Sequence, residues 1–328
     1  MKYTKLGNTG IEVSKLTLGM MSYGNPSLQK WYLDLDDARP LIKKALDLGI
    51  NFFDTANVYS RGRSEEITGE VLKEYRDDVV VATKVFFNMA GYEKEALNKQ
   101  GLSRYNITKA INDSLERLQM DHVDLYQIHR LDKTIPTEEI MMNLNRVIDE
   151  GKTLHIGASS MYAWQFAKLQ YTAEKLGLEQ FKTMQNHYNL VYREEEREMF
   201  PLCKDLGVAT IPWSPLARGF LSGKYKRNEE PTGARVESDK LVKSRFFRQE
   251  DFDVVERVVE VANEKGVKPT QIALAWLFTK DYVTSPIIGA TKADHLDQAV
   301  ESLEIKLSDD DIKRLEEVYT PHPVIGHS

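Results

Sequence analysis

Four residues of chemically able type sit at or just past the ends of apolar runs: Asp54 after NFF, Tyr59 five residues on, Lys84 closing VVVATK, and His129 closing VDLYQIH. A tyrosine is a poor acid at neutral pH, with an ordinary pKa of about 10. A lysine ammonium about 4 Å away favours the phenolate by roughly 4 kcal/mol at an effective dielectric of 20, or about three pKa units. Such a lysine needs a carboxylate to hold it. Asp54 and Lys84 end consecutive strand candidates and can pair across them. Tyr59 can reach the same place through a short loop, and His129 can donate to a carbonyl oxygen or relay a proton. Each residue also has a bland reading: Asp54 as a helix N-cap, Tyr59 as a loop tyrosine, Lys84 as a solvated strand end, and His129 in an ion-pair cluster with Arg130 and Asp132. Together the four describe a proton-donating site that calls for no metal.

The elements that must position them follow from periodicity. YTKLGNTGIEVS reads as a short hairpin turning at Asn8, Thr9 and Gly10. Strand candidates follow at 16–20, 51–54, 79–84, 123–129, 153–159, 183–187, 208–213 and 285–290. Amphipathic helices are expected near 36–48, 64–74, 107–118, 137–150, 162–176, 194–206, 251–265, 270–279 and 293–301. Eight strands alternating with helices imply a parallel sheet, and eight is the number that closes a barrel. An open doubly wound sheet would place a glycine-rich phosphate loop after its first strand. Here that strand runs into Gly19-Met20-Met21-Ser22-Tyr23-Gly24, which lacks the spacing. The expected fold is therefore α/β, a (β/α)8 TIM barrel over residues 1–328 as a single domain, with an N-terminal β-hairpin and long loops at the C-terminal rim. In a barrel the strand ends converge on one rim, which brings Ser159, Ser160, Gln185, Trp213 and Ser214 beside the first four residues. Residues 217–250 are long, polar and basic without strand pattern, as functional loops often are.

Composition sets the outer bounds. The 41% hydrophobic and 29% charged content of 328 residues suits a soluble globular chain with a large core. One cysteine, Cys203, excludes an internal disulfide and any multi-cysteine metal centre, and fits a reducing compartment. A net charge of −6 argues against nucleic-acid or membrane-surface partners. With no apolar leader and no long apolar run, the expected location is the cytoplasm.

At this point the chain resembles the aldo-keto reductases, from LGNTGIEVSKLTLGM to IIGATKADHLDQAV. GINFFDTANVYSRGRSEEITGEVL is similar to the family segment carrying the aspartate and tyrosine, VVVATKV to the lysine strand and DLYQIHRLD to the histidine strand. QNHYNLVYREEEREMFPLC and PWSPLARGFLSGKY resemble the branch of aryl-alcohol dehydrogenases and potassium-channel β subunits. The resemblance implies a catalytic tetrad of Asp54, Tyr59, Lys84 and His129. It implies Trp213 stacked on a nicotinamide, with Ser159, Ser160 and Gln185 on the carboxamide. Ser214, Leu216, Gly219 and Lys224 would line the pyrophosphate under Arg235, and Gly289, Thr291, Lys292, His295 and Gln298 would hold the adenosine end. Departures from the family pattern are Ser160 for a usual asparagine, His295 for arginine or glutamine, Ala299 for asparagine and Leu131 for tryptophan.

Lysine or arginine near a 2′-phosphate favours NADPH, so Lys292 and Arg235 point that way, while Asp294 keeps NADH open. Trp31, Tyr32, Phe86 and Phe87 are expected to wall the substrate pocket, an aromatic lining suited to aryl or medium-chain aldehydes and ketones. The tail PHPVIGHS is placed to fold over the rim. The expected activity is NADPH-dependent carbonyl reduction with the proton from Tyr59. The alternatives are a redox-sensing regulatory subunit with little turnover, and a barrel lyase or isomerase that binds no nicotinamide.

Overall fold

The computed structural model describes residues 1–89, 97–229, 231 and 246–327. An antiparallel hairpin of β1 (Tyr3–Lys5) and β2 (Glu12–Ser14) opens the chain. Eight parallel strands follow: β3 (Thr17–Gly19), β4 (Phe52–Asp54), β5 (Val80–Val85), β6 (Val123–Ile128), β7 (Thr153–Ser159), β8 (Thr183–Gln185), β9 (Ala209–Thr210) and β10 (Ile287–Ile288). Their order is β10-β3-β4-β5-β6-β7-β8-β9. Bridges Thr210–Val283 and Trp213–Ile287, with Ile287 N–H donating to Pro212 O at 2.8 Å, join the two ends of this order into a ring. The expected barrel is the observed one.

The helices are α1 (Leu35–Asp47), α2 (Arg63–Leu72), α3 (Arg104–Leu118), α4 (Thr137–Asp149), α5 (Ala163–Leu176), α6 (Met199–Asp205), α7 (Gln249–Lys265), α8 (Pro269–Phe278), α9 (Ala293–Glu301) and α10 (Asp309–Glu316). Most bury one face at the helical period, as Ala38, Leu41, Ile42 and Ala45 do in α1, whereas α8 is buried on all sides from Gln271 to Leu277. The region 194–206, expected to be one helix, is a 3₁₀ turn at Glu194–Glu196 followed by α6. The reason is that Glu194 and Glu195 are drawn inward to partners on the C-terminal segment instead of lying on a helix surface. No helix among the described residues is long and apolar enough to cross a membrane.

Alternation along the strands sorts side chains into barrel and wall. Phe53, Val81, Val85, Tyr126, Ile128, Ile156 and Met184 pack outward in the main core with the helices. Phe52, Val80, Ala82, Leu125, Ala209 and Ile211 fill the barrel floor, where Leu6 and Val13 of the hairpin plug it. Above that floor the same inward parity presents Asp54, Lys84, Gln127 and Gln185. Gly157 makes the layer fit: a Cβ there would lie 2.2 Å from Thr183 Oγ1 and 2.9 Å from Gln127 Cγ.

Candidate active site

Lys84 is fully buried at the top of the barrel, and its ammonium donates to Asp54 Oδ2 at 2.6 Å, Thr55 O at 2.7 Å and Tyr59 Oη at 3.4 Å. Tyr59 arrives from a tight turn in which Ser60 (φ 48), Arg61 (φ 55) and Gly62 (φ 91) are left-handed. Non-glycine residues in that region store strain, which surrounding bonds must offset. Here Ser60 Oγ accepts from Asn25 N at 2.8 Å, and Ser64 donates to Met20 O at 2.8 Å. The His129 ring meets the Tyr59 ring edge-on, with centroids 5.8 Å apart. His129 Nδ1 is buried without a hydrogen-bond partner among the described residues.

The electrostatics differ from the sequence-based expectation. Burial pushes the Tyr59 phenol well above its ordinary value, and Asp54 pushes it further, while Arg130 and Arg218 pull it back. The Lys84 ammonium 3.4 Å away is itself paired with Asp54 at 2.6 Å, and the net shift of the phenol is upward where a lone lysine would have pulled it down. Burial also draws Lys84 down, with Asp54 opposing. His129 falls well below its usual range through burial first, then Arg130 and Lys84, so it is a neutral imidazole.

Gln127, which the sequence reading passed over, completes this floor. Its Nε2 donates to Asp54 Oδ1 at 2.8 Å, and Gln185 Nε2 donates to the same oxygen at 2.9 Å and to Gln127 Oε1 at 3.1 Å. The signal for it was present: His129 pointing inward on a strand implies that Gln127 does too. With both N–H groups of Gln185 occupied, its Oε1 is the group left to face the cleft.

Above the floor a cleft of about 990 Å³ runs across the rim. It is lined by Asp54, Tyr59, His129, Ser159, Gln185, Trp213, Ser214, Leu216, Gly219, Lys224, Gly289, Thr291, Lys292, His295 and Gln298, and by Trp31 and Phe87. Lys84 lies beneath. Ser159 Oγ donates to Gln185 O at 2.8 Å, and Ser160 accepts from Trp213 Nε1 at 3.0 Å, so Ser160 orients the indole from beside the cleft. Tyr32 and Phe86 do not line it. Tyr32 backs Trp31 at 4.4 Å between ring centroids, and Phe86 packs on the outer core while Phe87 meets His129 at 5.0 Å. Successive residues leaving a strand point oppositely, so both phenylalanines could not face in. Arg235 lies outside the described residues.

Along the cleft, Ser214 (φ 54), Ala217 (φ 48), Arg218 (φ 55) and Gly219 (φ 90) are left-handed, and Ala217 N–H donating to Ser214 O at 2.9 Å and Gly219 N–H to Leu216 O at 2.8 Å close the turn. At the far end Lys224, Lys292 and the unanticipated Lys268 all press on His295, whose imidazole is lowered by burial first, with Asp294 opposing and the three lysines adding. Asp294 Oδ2 accepts from Gln298 Nε2 at 3.1 Å, and Gln298 Oε1 accepts from Thr270 at 3.2 Å. The C-terminal segment does cross the rim. Gly326 lines the cleft, and a Cβ on it would sit 3.5 Å from Trp213 Cζ2.

An eight-stranded parallel barrel whose C-terminal rim gathers Asp54, Lys84, Tyr59 and His129 under a long cleft defines a barrel oxidoreductase of carbonyl and alcohol groups. The aldo/keto reductase family model matches residues 15–320, and the chain belongs to that family. It is 43% identical over 345 residues to a versiconal hemiacetal acetate reductase of Aspergillus parasiticus, covering 99% of this chain and 98% of that one. It is 40% identical over 350 residues to an aldo-keto reductase of Metarhizium robertsii, covering 99% and 93%. A Schizosaccharomyces pombe chain bearing an aryl-alcohol dehydrogenase name is 42% identical over 347 residues, covering 99% and 97%.

Proposed function

We propose that the protein reduces aryl or medium-chain aldehydes and ketones to alcohols with NADPH, Tyr59 giving its proton to the carbonyl oxygen. The observation that carries this reading is the convergence of Tyr59, Lys84 and His129 beneath a cleft whose other end is cationic. A dihydronicotinamide, when bound, supplies the hydride. The chain's donor set suits such a group: Gln185 Oε1 and the Ser159 hydroxyl for a carboxamide, Trp213 for a flat ring, and Lys224, Lys268 and Lys292 for phosphates.

The raised phenol pKa has a function in this scheme. Burial keeps Tyr59 protonated until negative charge develops on the substrate oxygen, and an alkoxide is a much stronger base than a phenolate. The phenolic O–H bond then breaks toward the substrate oxygen, and the phenolate left behind lies 3.4 Å from the Lys84 ammonium. Neutral His129 donates a hydrogen bond to the same oxygen. Trp31 and Phe87 give the mouth an aromatic wall, in keeping with the aryl-alcohol dehydrogenase name of one relative.

The test is steady-state NADPH oxidation with 4-nitrobenzaldehyde. Tyr59→Phe is expected to lower kcat by about 10²–10⁴ with the NADPH Kd within twofold. Near wild-type turnover in that variant removes Tyr59 as the acid, and negligible turnover in the wild type favours a redox-sensing subunit instead.

A further inference from the structure

Trp213 does not stand alone. Its indole lies parallel to the His187 imidazole at 4.2 Å between centroids and 9° between planes, and His187 in turn lies on Tyr192 at 4.3 Å and 16°. The chain builds this three-ring stack from backbone register. His187 and Trp213 are bridge partners on the extensions of β8 and β9, with Trp213 N–H donating to Asn186 O at 2.8 Å. Paired residues on neighbouring strands stand about 4.8 Å apart, close to the spacing of stacked rings. Asn189 and Tyr192 then exchange backbone hydrogen bonds of 3.1 and 3.0 Å around Leu190 and Val191, and this turn folds Tyr192 back onto the far face of His187. Asn189 Nδ2 donates to His187 Nε2 at 3.2 Å and to Ser214 O at 2.9 Å, which locks the imidazole in plane and ties it to the loop that carries Trp213. His187 and Tyr192 are buried, so no substrate or cofactor touches them.

We propose that His187 is a positioning residue: the middle ring of a Tyr192–His187–Trp213 stack that holds the Trp213 indole at a set depth and tilt as the platform of the cofactor site. This rests on the reading that Trp213 receives the nicotinamide. A single indole at a rim can rock about its χ angles, and the imidazole behind it removes that freedom before binding. The ordering that a ligand would otherwise have to impose is already present.

The experiment compares His187→Phe, which keeps an aromatic ring, with His187→Leu, which keeps volume without one. NADPH binding is read by titration calorimetry. The Leu variant is expected to raise the NADPH Kd about five- to tenfold, the scale of one lost aromatic pair, and the Phe variant to stay within about twofold. In the cofactor-free protein, the Trp213 emission (wild type minus Trp213→Phe) is expected to be red-shifted and less anisotropic in the Leu variant only. His187→Gln is the reserve variant should the Leu form not fold. It can keep the bond from Asn189 but not the stack, and is expected to behave like Leu. Phe and Leu variants that bind NADPH alike overturn the proposal. A Trp213→Ala protein with unchanged NADPH Kd overturns the underlying assignment of Trp213 instead, and the two failures are separable.

Discussion

At the residue scale, the partnership of Asp54 with Lys84 was legible because each ends a strand candidate and the two strands are consecutive. What could not be read was the electrostatic outcome. A lysine near a phenol lowers its pKa in isolation, but the depth of burial and the 2.6 Å pairing with Asp54 reverse the net effect on Tyr59. Gln127 was readable from strand parity, and the same parity shows why Phe86 is not in the cleft while Phe87 is. His129 yields a prediction through its lowered pKa. The unfolded chain takes up a proton near pH 6.5, whereas the folded one stays neutral well below that. The unfolded state therefore binds more protons below 6.5, so the stability present above that pH is lost as the pH falls from 6.5 toward the folded value. Between pH 7.5 and 5.5 this group alone costs about 1.4 kcal/mol, from an unfolded pKa of about 6.5. His129→Gln is expected to flatten the urea-derived stability curve by about that amount over the interval. A variant with the same pH slope as wild type shows that His129 protonates in the folded protein.

At the element scale, all eight barrel strands were visible as apolar runs, although β9 and β10 shrink to two residues each because the barrel closes there through single bridges. Helix α10 was passed over despite a readable start. Ser308 Oγ accepts from Asp311 N at 3.1 Å and the Asp311 carboxylate accepts from Ser308 N at 2.7 Å, a capping box spelled S-D-D-D. Beyond it the C-terminal strap is held at successive points that no local pattern announces. Pro321 O accepts from Arg248 at 3.0 Å, and His322 Nε2 meets Asp251 Oδ1 at 2.7 Å. Ile325 N–H donates to Tyr192 Oη at 3.0 Å, and His327 Nε2 meets Glu195 Oε1 at 3.0 Å. Glu195 is 3% exposed and also accepts from Asn186 Nδ2 at 3.1 Å, so it anchors both the strap and the strand extension next to His187. Glu195→Ala strands two buried donors and is expected to cost about 2 kcal/mol. Glu195→Gln, which can still accept from Asn186, should recover at least half. Urea midpoints decide it: an alanine variant within about 0.5 kcal/mol of wild type, the ordinary scatter of surface changes, means the strap is not anchored there.

At the scale of the whole molecule, the fold's achievement is to assemble a charge pattern that no segment contains. The chain carries a net charge of −6, yet Lys224, Lys268 and Lys292, drawn from three separate stretches, line the far end of one cleft. Lys292 was anticipated only through the family resemblance, since by itself it reads as a solvated helix start. Lys268 was not, because it reads simply as the residue before Pro269 at the start of α8, and only barrel closure brings α8 alongside α9. These exposed lysines matter most for a ligand carrying an extra phosphate, since a 2′-phosphate adds up to about two negative charges over NADH. Each exposed lysine is worth about 1 kcal/mol at most in such a setting, which is about fivefold in affinity. Lys268→Ala and Lys292→Ala are each expected to raise the NADPH Kd about three- to fivefold and the NADH Kd less than twofold. Raising ionic strength from about 0.1 M to 1 M shortens the screening length from about 10 Å to 3 Å, so the preference for NADPH should narrow with salt in the wild type and far less in the double variant. The measurement is kcat/KM for both cofactors with one good aldehyde across that salt range. A wild-type protein that uses NADH as well as NADPH at low salt ends the assignment of NADPH and returns Asp294, already bonded to Gln298, to consideration as a ribose partner.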